Sequence, residues 1–335
     1  MKPILYGRQF IDKDDVREVS RALTSDFITQ GPRIAGFERR VAKYCGAKYA
    51  VAVSSGTAAL HIACLAAGLR KGDEAITSPI TFVATSNAVL YAGATPVFAD
   101  IDYETINISA EEIKKKITPE TKAVLPVNFE GLPCDLSEIN RIAKKRGLTV
   151  IEDSCHALGA TYKGSRLGSC RYSDMCVFSF HPVKHITTGE GGMITTNSKK
   201  LYDRMLALRS HGIHKDKDMA KREGGWYYEM QDLGFNYRMT DIQAALGNSQ
   251  MDKLARFLKR RGFMARAYDK AFKKALGDIV KLPATDFSDR THSWHLYVLR
   301  LNDGKCRVSR RGLYDMLRSK GIAAQVHYIP VTSQP

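Results

Sequence analysis

From residue 49 to residue 209 short β-branched runs alternate with helical stretches, and this alternation limits the fold more than any other feature of the chain. The runs are YAVAVSS (49–55), EAITS (74–78), TPVFADI (95–101), KAVLPV (122–127), LTVIED (148–153), MCVFSF (175–180) and GGMITT (191–196). Helical stretches near 57–69, 81–91, 109–117, 135–146 and 198–209 separate them. Strands that alternate with helices predict an α/β domain whose mostly parallel sheet is covered on both faces. Ahead of this region, Asp12 to Thr24 reads as an amphipathic helix capped near Asp12, followed by a break at Gln30-Gly31-Pro32. Past about residue 245 the texture changes to a long basic helix (250–276), one strand-like run, HSWHLYVLRL (292–301), and a helix at 309–319. The expected division is a large domain, 1–245, and a smaller C-terminal α/β domain, 246–335.

With 335 residues, 44% hydrophobic and 26% charged, the chain can bury a large core, which excludes disordered and collagen-like classes. No apolar run reaches 18 residues; the longest candidate, Ala58 to Leu69, carries His61 and fits a buried helix, so no membrane association is expected. The opening MKPILYGRQFIDKDD has no long apolar segment, so a cytoplasmic protein is expected. Seven scattered cysteines without a CxxC pair read as reduced thiols, and no metal-ligand spacing stands out. The net charge of +16 raises a nucleic-acid hypothesis. However, residues 1–200 hold 26 Lys/Arg against 21 Asp/Glu and residues 201–335 hold 25 against 14, and no recognition-helix, RNP or zinc motif accompanies that basic third. A phosphorylated small molecule suits it as well.

Ligands of parallel α/β sheets bind outside the carboxyl ends of the strands. Three such ends carry chemistry. Ser54-Ser55-Gly56-Thr57 stands between a strand and a helix, where small residues admit a phosphate to free N–H groups, or where the chain makes a plain turn. The strand ending in Glu152-Asp153 brings a carboxylate that needs a cationic or protonated partner, or that caps the following turn. The strand ending at Ser179-Phe180 leads to Lys184, flanked by Val183 and Ile186; it is either a desolvated amine fit for a Schiff base or a solvated surface group. Phosphate cradle, carboxylate and amine together are the parts of a pyridoxal phosphate site.

The segments EDSCHALGA (152–160), FSFHPVKHITTGEGGMITT (178–196), LRSHGI (208–213), DLGFNYRMTDIQAALG (232–247) and AAQVHYIPV (323–331) resemble the DegT/DnrJ/EryC1/StrS sugar aminotransferases, a family of fold type I pyridoxal phosphate enzymes. SFHPVKHITTGEGG and ITFVATSNAVLYAG look most like the branch of UDP-4-amino-4,6-dideoxy-N-acetyl-β-L-altrosamine transaminases of pseudaminic acid biosynthesis. The resemblance implies that Lys184 links to pyridoxal 5′-phosphate and then moves the proton, that Asp153 pairs with the ring nitrogen, and that His156 lies on the 3-hydroxyl side. It further implies that Phe82 stacks on the ring, that Gly56, Thr57 and Ser179 hold the phosphate, and that Asn236 reaches the phosphate of a partner in a homodimer with shared sites. Tyr6, Asp26, Phe27, Ile28 and Thr29, with Gln325, Val326, His327 and Tyr328, would bind a UDP-sugar. L-Glutamate is the implied amino donor. A lysine at 184, where one branch of the family has histidine, favours transamination over dehydration. His181, His185, His211 and His214 read as loop or structural groups. Family members continue through a further helical stretch after the segment matching 325–328, so the resemblance also implies a truncated small domain, with a catalytically inactive cofactor- or nucleotide-sugar-binding relative as the alternative.

Overall fold

The computed structural model describes residues 3–214, 217–302 and 304–335. The central sheet holds β1 (Tyr49–Val53), β2 (Glu74–Thr77), β3 (Thr95–Phe98), β4 (Thr121–Leu125), β5 (Thr149–Asp153), β6 (Met175–Ser179) and β7 (Gly192–Thr196). Its order is β1-β7-β6-β5-β4-β2-β3. Neighbours from β6 through β5, β4 and β2 to β3 are parallel, and β7 runs antiparallel between β1 and β6. All seven predicted runs are therefore strands, and the mostly parallel sheet forms.

The helices are α1 (Lys13–Leu23), α2 (Pro32–Cys45), α3 (Gly56–Ala66), α4 (Ala84–Tyr91), α5 (Ala110–Lys116), α6 (Leu136–Arg146), α7 (Lys199–Arg209), α8 (Lys217–Glu223), α9 (Asp241–Met251), α10 (Leu254–Leu276) and α11 (Arg310–Ser319). Alternate residues of β1 serve the two faces of the sheet. Val51 and Val53 pack with α3, α4 and α7, whereas Ala50 and Ala52 pack with Phe37 and Val41 of α2 and Leu254 of α10. Because α3 lies between the sheet and two further helices, it is apolar nearly all round, which is why its sequence shows no polar face.

The N-terminal helix starts where expected: the Asp12 carboxylate accepts from the Asp14 and Asp15 N–H groups, and Lys253 joins Asp12 and Asp15 at 2.5 and 2.7 Å. The next helix begins at Gly31, which offers no side-chain cap. Asp241, fully buried, caps it from a distance, accepting from the Arg33 and Ile34 N–H groups at 2.8 and 3.1 Å. Asp241→Ala removes the acceptor of two helix-terminal donors and is expected to cost about 2 kcal/mol. A urea midpoint equal to that of the unmodified protein would contradict this cap.

Helix α9, which spans residue 245, packs on α1 and α2. One expectation meets the structure differently. The run 292–301, read as one strand, is extended only at its margins, Arg290–Thr291 and Arg300–Leu301. Between them the N–H groups of Ser293, His295 and Leu296 bond to the carbonyls of Gly131 and Glu130, and Trp294 takes φ +57°, so a ladder cannot run through. Among the described residues no helix is long and apolar enough to cross a membrane.

Candidate active site

The sheet delivers three functional groups to one end, the carboxyl ends of β1, β5 and β6. β1 passes through Ser54 and Ser55 into α3, whose first residue is Gly56. A Cβ on Gly56 would stand 2.9 Å from the Ser179 Cβ and 3.4 Å from the Cys155 sulfur, so glycine is what lets the ends of β1 and β6 meet. Gly192 is under the same constraint, since its Cβ would lie 2.3 Å from the Ser55 carbonyl oxygen.

Asp153 ends β5 with its side chain on the opposite face from Glu152. Its carboxylate accepts from the Thr85 hydroxyl at 2.7 Å and from the Cys155 N–H at 3.1 Å. Glu152 is buried elsewhere, accepting from Ser173 at 2.6 Å and Asn128 at 3.2 Å, and burial raises its pKa. This separation resolves the carboxylate pair of the sequence: Asp153 faces the site and Glu152 is a structural group.

Lys184 lies in the loop from β6 to β7, closed by N–H bonds from Lys184 to the His181 carbonyl (2.9 Å) and from Thr188 to the Phe180 carbonyl (3.0 Å). Burial depresses the pKa of its amine; Cys155 and Asp153 oppose that shift, and the Arg261 guanidinium adds to it. Nearby stands a row of rings: His156 to His295 at 4.3 Å between centroids, His156 to Tyr328 at 6.1 Å, and Tyr328 to Phe82 at 6.2 Å. The Tyr328 hydroxyl and His156 Nε2 are 3.2 Å apart. Burial holds His156 far below the ordinary histidine pKa, and the positive charge of Lys184 adds to the effect. Phe82 is 58% exposed and is not a core residue.

Tyr6 and His327 join the two ends of the chain, with 2.9 Å between hydroxyl and Nε2. A Cβ on Gly7 would lie 3.5 Å from Val183, which places this pair next to the lysine loop. Asp26 and Phe27 instead line a cleft of about 430 Å³ with Ser25, Pro32 and Arg33. Ile28 and Thr29 follow at the surface, the Ile28 carbonyl accepting from the Asp241 N–H. Gln325, Val326 and Asn236 are exposed; Thr57 and Ser179 are half-buried. His181, His211 and His214 are exposed, and buried His185 bonds the Ser293 carbonyl at 3.0 Å, as a structural group does.

Sequence reasoning passed over Thr85, Arg261, His295 and Glu130. Thr85 had a signal, since it follows Phe82 by one helical turn. Glu130 is 4% exposed, takes φ +59°, and lies 3.7 Å from His292. Burial raises its pKa from 4.5 to about 8, partly offset by Arg300. A carboxyl whose folded-state pKa is raised contributes stability below its unfolded value that is lost as pH rises through the folded value. Glu130→Gln is therefore expected to gain stability relative to the parent protein between about pH 4.5 and 8. Urea midpoints at pH 5 and pH 8 check this; a difference between the two proteins that does not change with pH would contradict it.

The profile of the DegT/DnrJ/EryC1/StrS aminotransferase family matches residues 9–335. The chain is 42% identical to the spore coat polysaccharide biosynthesis protein SpsC of Bacillus subtilis, over 98% of this chain and 84% of SpsC. Among solved structures it is similar to PseC of Helicobacter pylori, an aminotransferase involved in pseudaminic acid biosynthesis (TM-score 0.90, 34% identity, 99% of this chain and 86% of PseC). It is also similar to Spr1654 of Streptococcus pneumoniae, described as a sugar aminotransferase and solved in its PLP form (TM-score 0.89, 31% identity, 98% of this chain and 86% of that one).

The residues fit pyridoxal 5′-phosphate. Gly56 opens the first turn of α3 beside Ser179, a Cβ there coming within 3.2 Å of the Ser179 hydroxyl oxygen, and a helix N-terminus next to a hydroxyl suits a phosphate. The Asp153 carboxylate is oriented by two donors, and buried His156 Nδ1 has no hydrogen-bond partner among the described residues. Among those residues no group of three or more His, Cys, Asp or Glu could hold a metal ion. With its mostly parallel sheet and nearly its whole length matched, this chain belongs to the DegT/DnrJ/EryC1/StrS aminotransferase family, whose cofactor is pyridoxal 5′-phosphate.

Proposed function

We propose that the protein transfers the amino group of an amino acid, L-glutamate, to the C4 keto group of a UDP-linked 4-keto-6-deoxy-N-acetylhexosamine. The observation that carries this reading is Lys184, a desolvated amine in the loop that follows β6, in the electrostatic field of the Asp153 carboxylate at the end of β5. When bound, the cofactor supplies an electron sink that lets a proton leave the carbon bearing the amino group. In this reading the lowered pKa favours the uncharged Lys184 amine, which would take that proton and move it between the substrate carbon and the cofactor. Asp153 would hold a proton on the ring nitrogen, His156 would lie on the ring-hydroxyl side, and Phe82 would cover the ring. Gly56, Thr57 and Ser179 would bind the phosphate. Asn236, exposed in the single chain, reaches the phosphate of the partner in a homodimer.

Likeness to PseC supports the sugar class. The basic excess of residues 201–335 gives a physical reason for a diphosphate-linked substrate. Tyr6, Asp26 to Thr29 and Gln325 to Tyr328 are the proposed sugar-nucleotide contacts. We also propose the division into a large domain, 1–245, and a small one, 246–335, and a reducing cytoplasm, which suits the seven free cysteines. The test supplies the holoprotein with L-glutamate and then with UDP-linked 4-keto sugars, reading the cofactor spectrum at each step. Reversal of the glutamate-induced change by a UDP-4-keto-N-acetylhexosamine supports the reading; reversal only by keto sugars on other nucleotides would overturn the UDP assignment.

A further inference from the structure

His295 stands at the Lys184 amine, with 3.5 Å between its Nε2 and the lysine Nζ. Several bonds fix that contact. Arg261 of α10 donates to the Trp294 carbonyl at 2.9 Å and to the His295 carbonyl at 3.2 Å, and its other terminal nitrogen lies 3.5 Å from the Lys184 carbonyl. The guanidinium thus bridges the two segments that carry the pair. His185, next to the lysine, bonds the Ser293 carbonyl, and the His295 N–H donates to the Glu130 carbonyl at 2.8 Å. Trp294 takes φ +57°, a conformation costly for a bulky residue, and its ring stacks on His292 with centroids 3.8 Å apart. This backbone ends the extended run just where His295 turns inward to 8% exposure.

We propose that His295 is a positioning residue for Lys184, its uncharged imidazole accepting a hydrogen bond from the amine at Nε2 and fixing where that amine points. The inference rests on the reading of Lys184 as the reactive amine. An imidazole in this place stays neutral, because burial disfavours a charge on it and the cations facing the pair, Lys184 and Arg261, oppose one, with His156 and His185 packed beside it. Asp153 and Cys155 face the lysine from the other side, and His327 faces His156. A neutral acceptor favours the ammonium form of its partner without adding a second positive charge, so it moderates the effect of burial on Lys184.

The test is competitive trace labelling of the cofactor-free full chain with acetic anhydride across pH, with modification at Lys184 read by peptide mass spectrometry. His295→Phe is expected to lower the Lys184 titration midpoint by about one pH unit, while His295→Gln, which retains an acceptor, lowers it less than half as far. A His295→Phe midpoint equal to that of the parent would overturn the proposal and leave His295 a packing residue. If His295→Phe does not fold, the reciprocal measurement decides. In Lys184→Ala the ¹⁵N signals of His295 are expected to report protonation at a higher pH than in the parent, and an unmoved midpoint would overturn the proposal. Borohydride labelling of the holoprotein tests the underlying reading separately. A label absent from Lys184 would sink the functional assignment, whereas a label on Lys184 with no coupling to His295 would sink only the inference.

Discussion

Replacing Lys184 by alanine is expected to slow amino transfer from L-glutamate to the bound cofactor by at least about 10⁴-fold, since in the proposed reading one side chain would both link the cofactor and carry the proton. The loss is one of chemistry and not of fold. The loop of Lys184 is held by backbone bonds among His181, Phe180, Lys184 and Thr188, and none of these uses the amine. The variant is therefore expected to keep the circular dichroism and urea midpoint of the parent while losing the visible cofactor signature. Stopped-flow absorbance after mixing with glutamate checks the rate. A variant that still transfers the amino group within tenfold of the parent rate would require another base and would remove Lys184 from the account.

Gly192→Ala is expected to damage both the fold and the proposed cofactor site. Its Cβ would meet three backbone atoms, the Ser55 oxygen at 2.3 Å, the Ser55 carbon at 2.6 Å and the Gly56 nitrogen at 2.9 Å. None of them belongs to a flexible side chain, so β7 or the start of α3 must move, at a cost of about 3 kcal/mol. The atoms displaced are those of the proposed phosphate cradle. Cofactor affinity is thus expected to fall at least about tenfold, because preorganised N–H groups lose their alignment. Equilibrium dialysis of pyridoxal 5′-phosphate and urea denaturation read the two effects. A variant that is destabilised but binds cofactor as tightly as the parent would place the phosphate elsewhere.

The sheet was legible because buried parallel strands are written as continuous apolar runs, and each of the seven runs had turn or helix signals on either side. Strand ends then pointed to Asp153 and Ser179, and the apolar neighbours of Lys184 marked it as unusual. What the sequence did not disclose depends on contacts between distant segments. His295 sits in a run that alternates like a strand, yet its N–H bonds the Glu130 carbonyl across more than 160 residues, and no local pattern encodes that partner. Arg261 reads as one more cation on a basic helix, but its guanidinium turns inward to the carbonyls of residues 294 and 295. Glu130 hides for a similar reason: only the folded chain shows that a charged residue before a glycine is buried, at positive φ, beside His292 and Arg300.

Borohydride reduction of the holoprotein, followed by peptide mapping with and without prior L-glutamate, tests the central claim most directly. The account predicts a stable cofactor adduct on Lys184 without glutamate, and its disappearance when glutamate is added first, because amino transfer then frees the lysine. An adduct on another lysine, or one that glutamate leaves unchanged, would contradict the assignment of Lys184 and of the reaction.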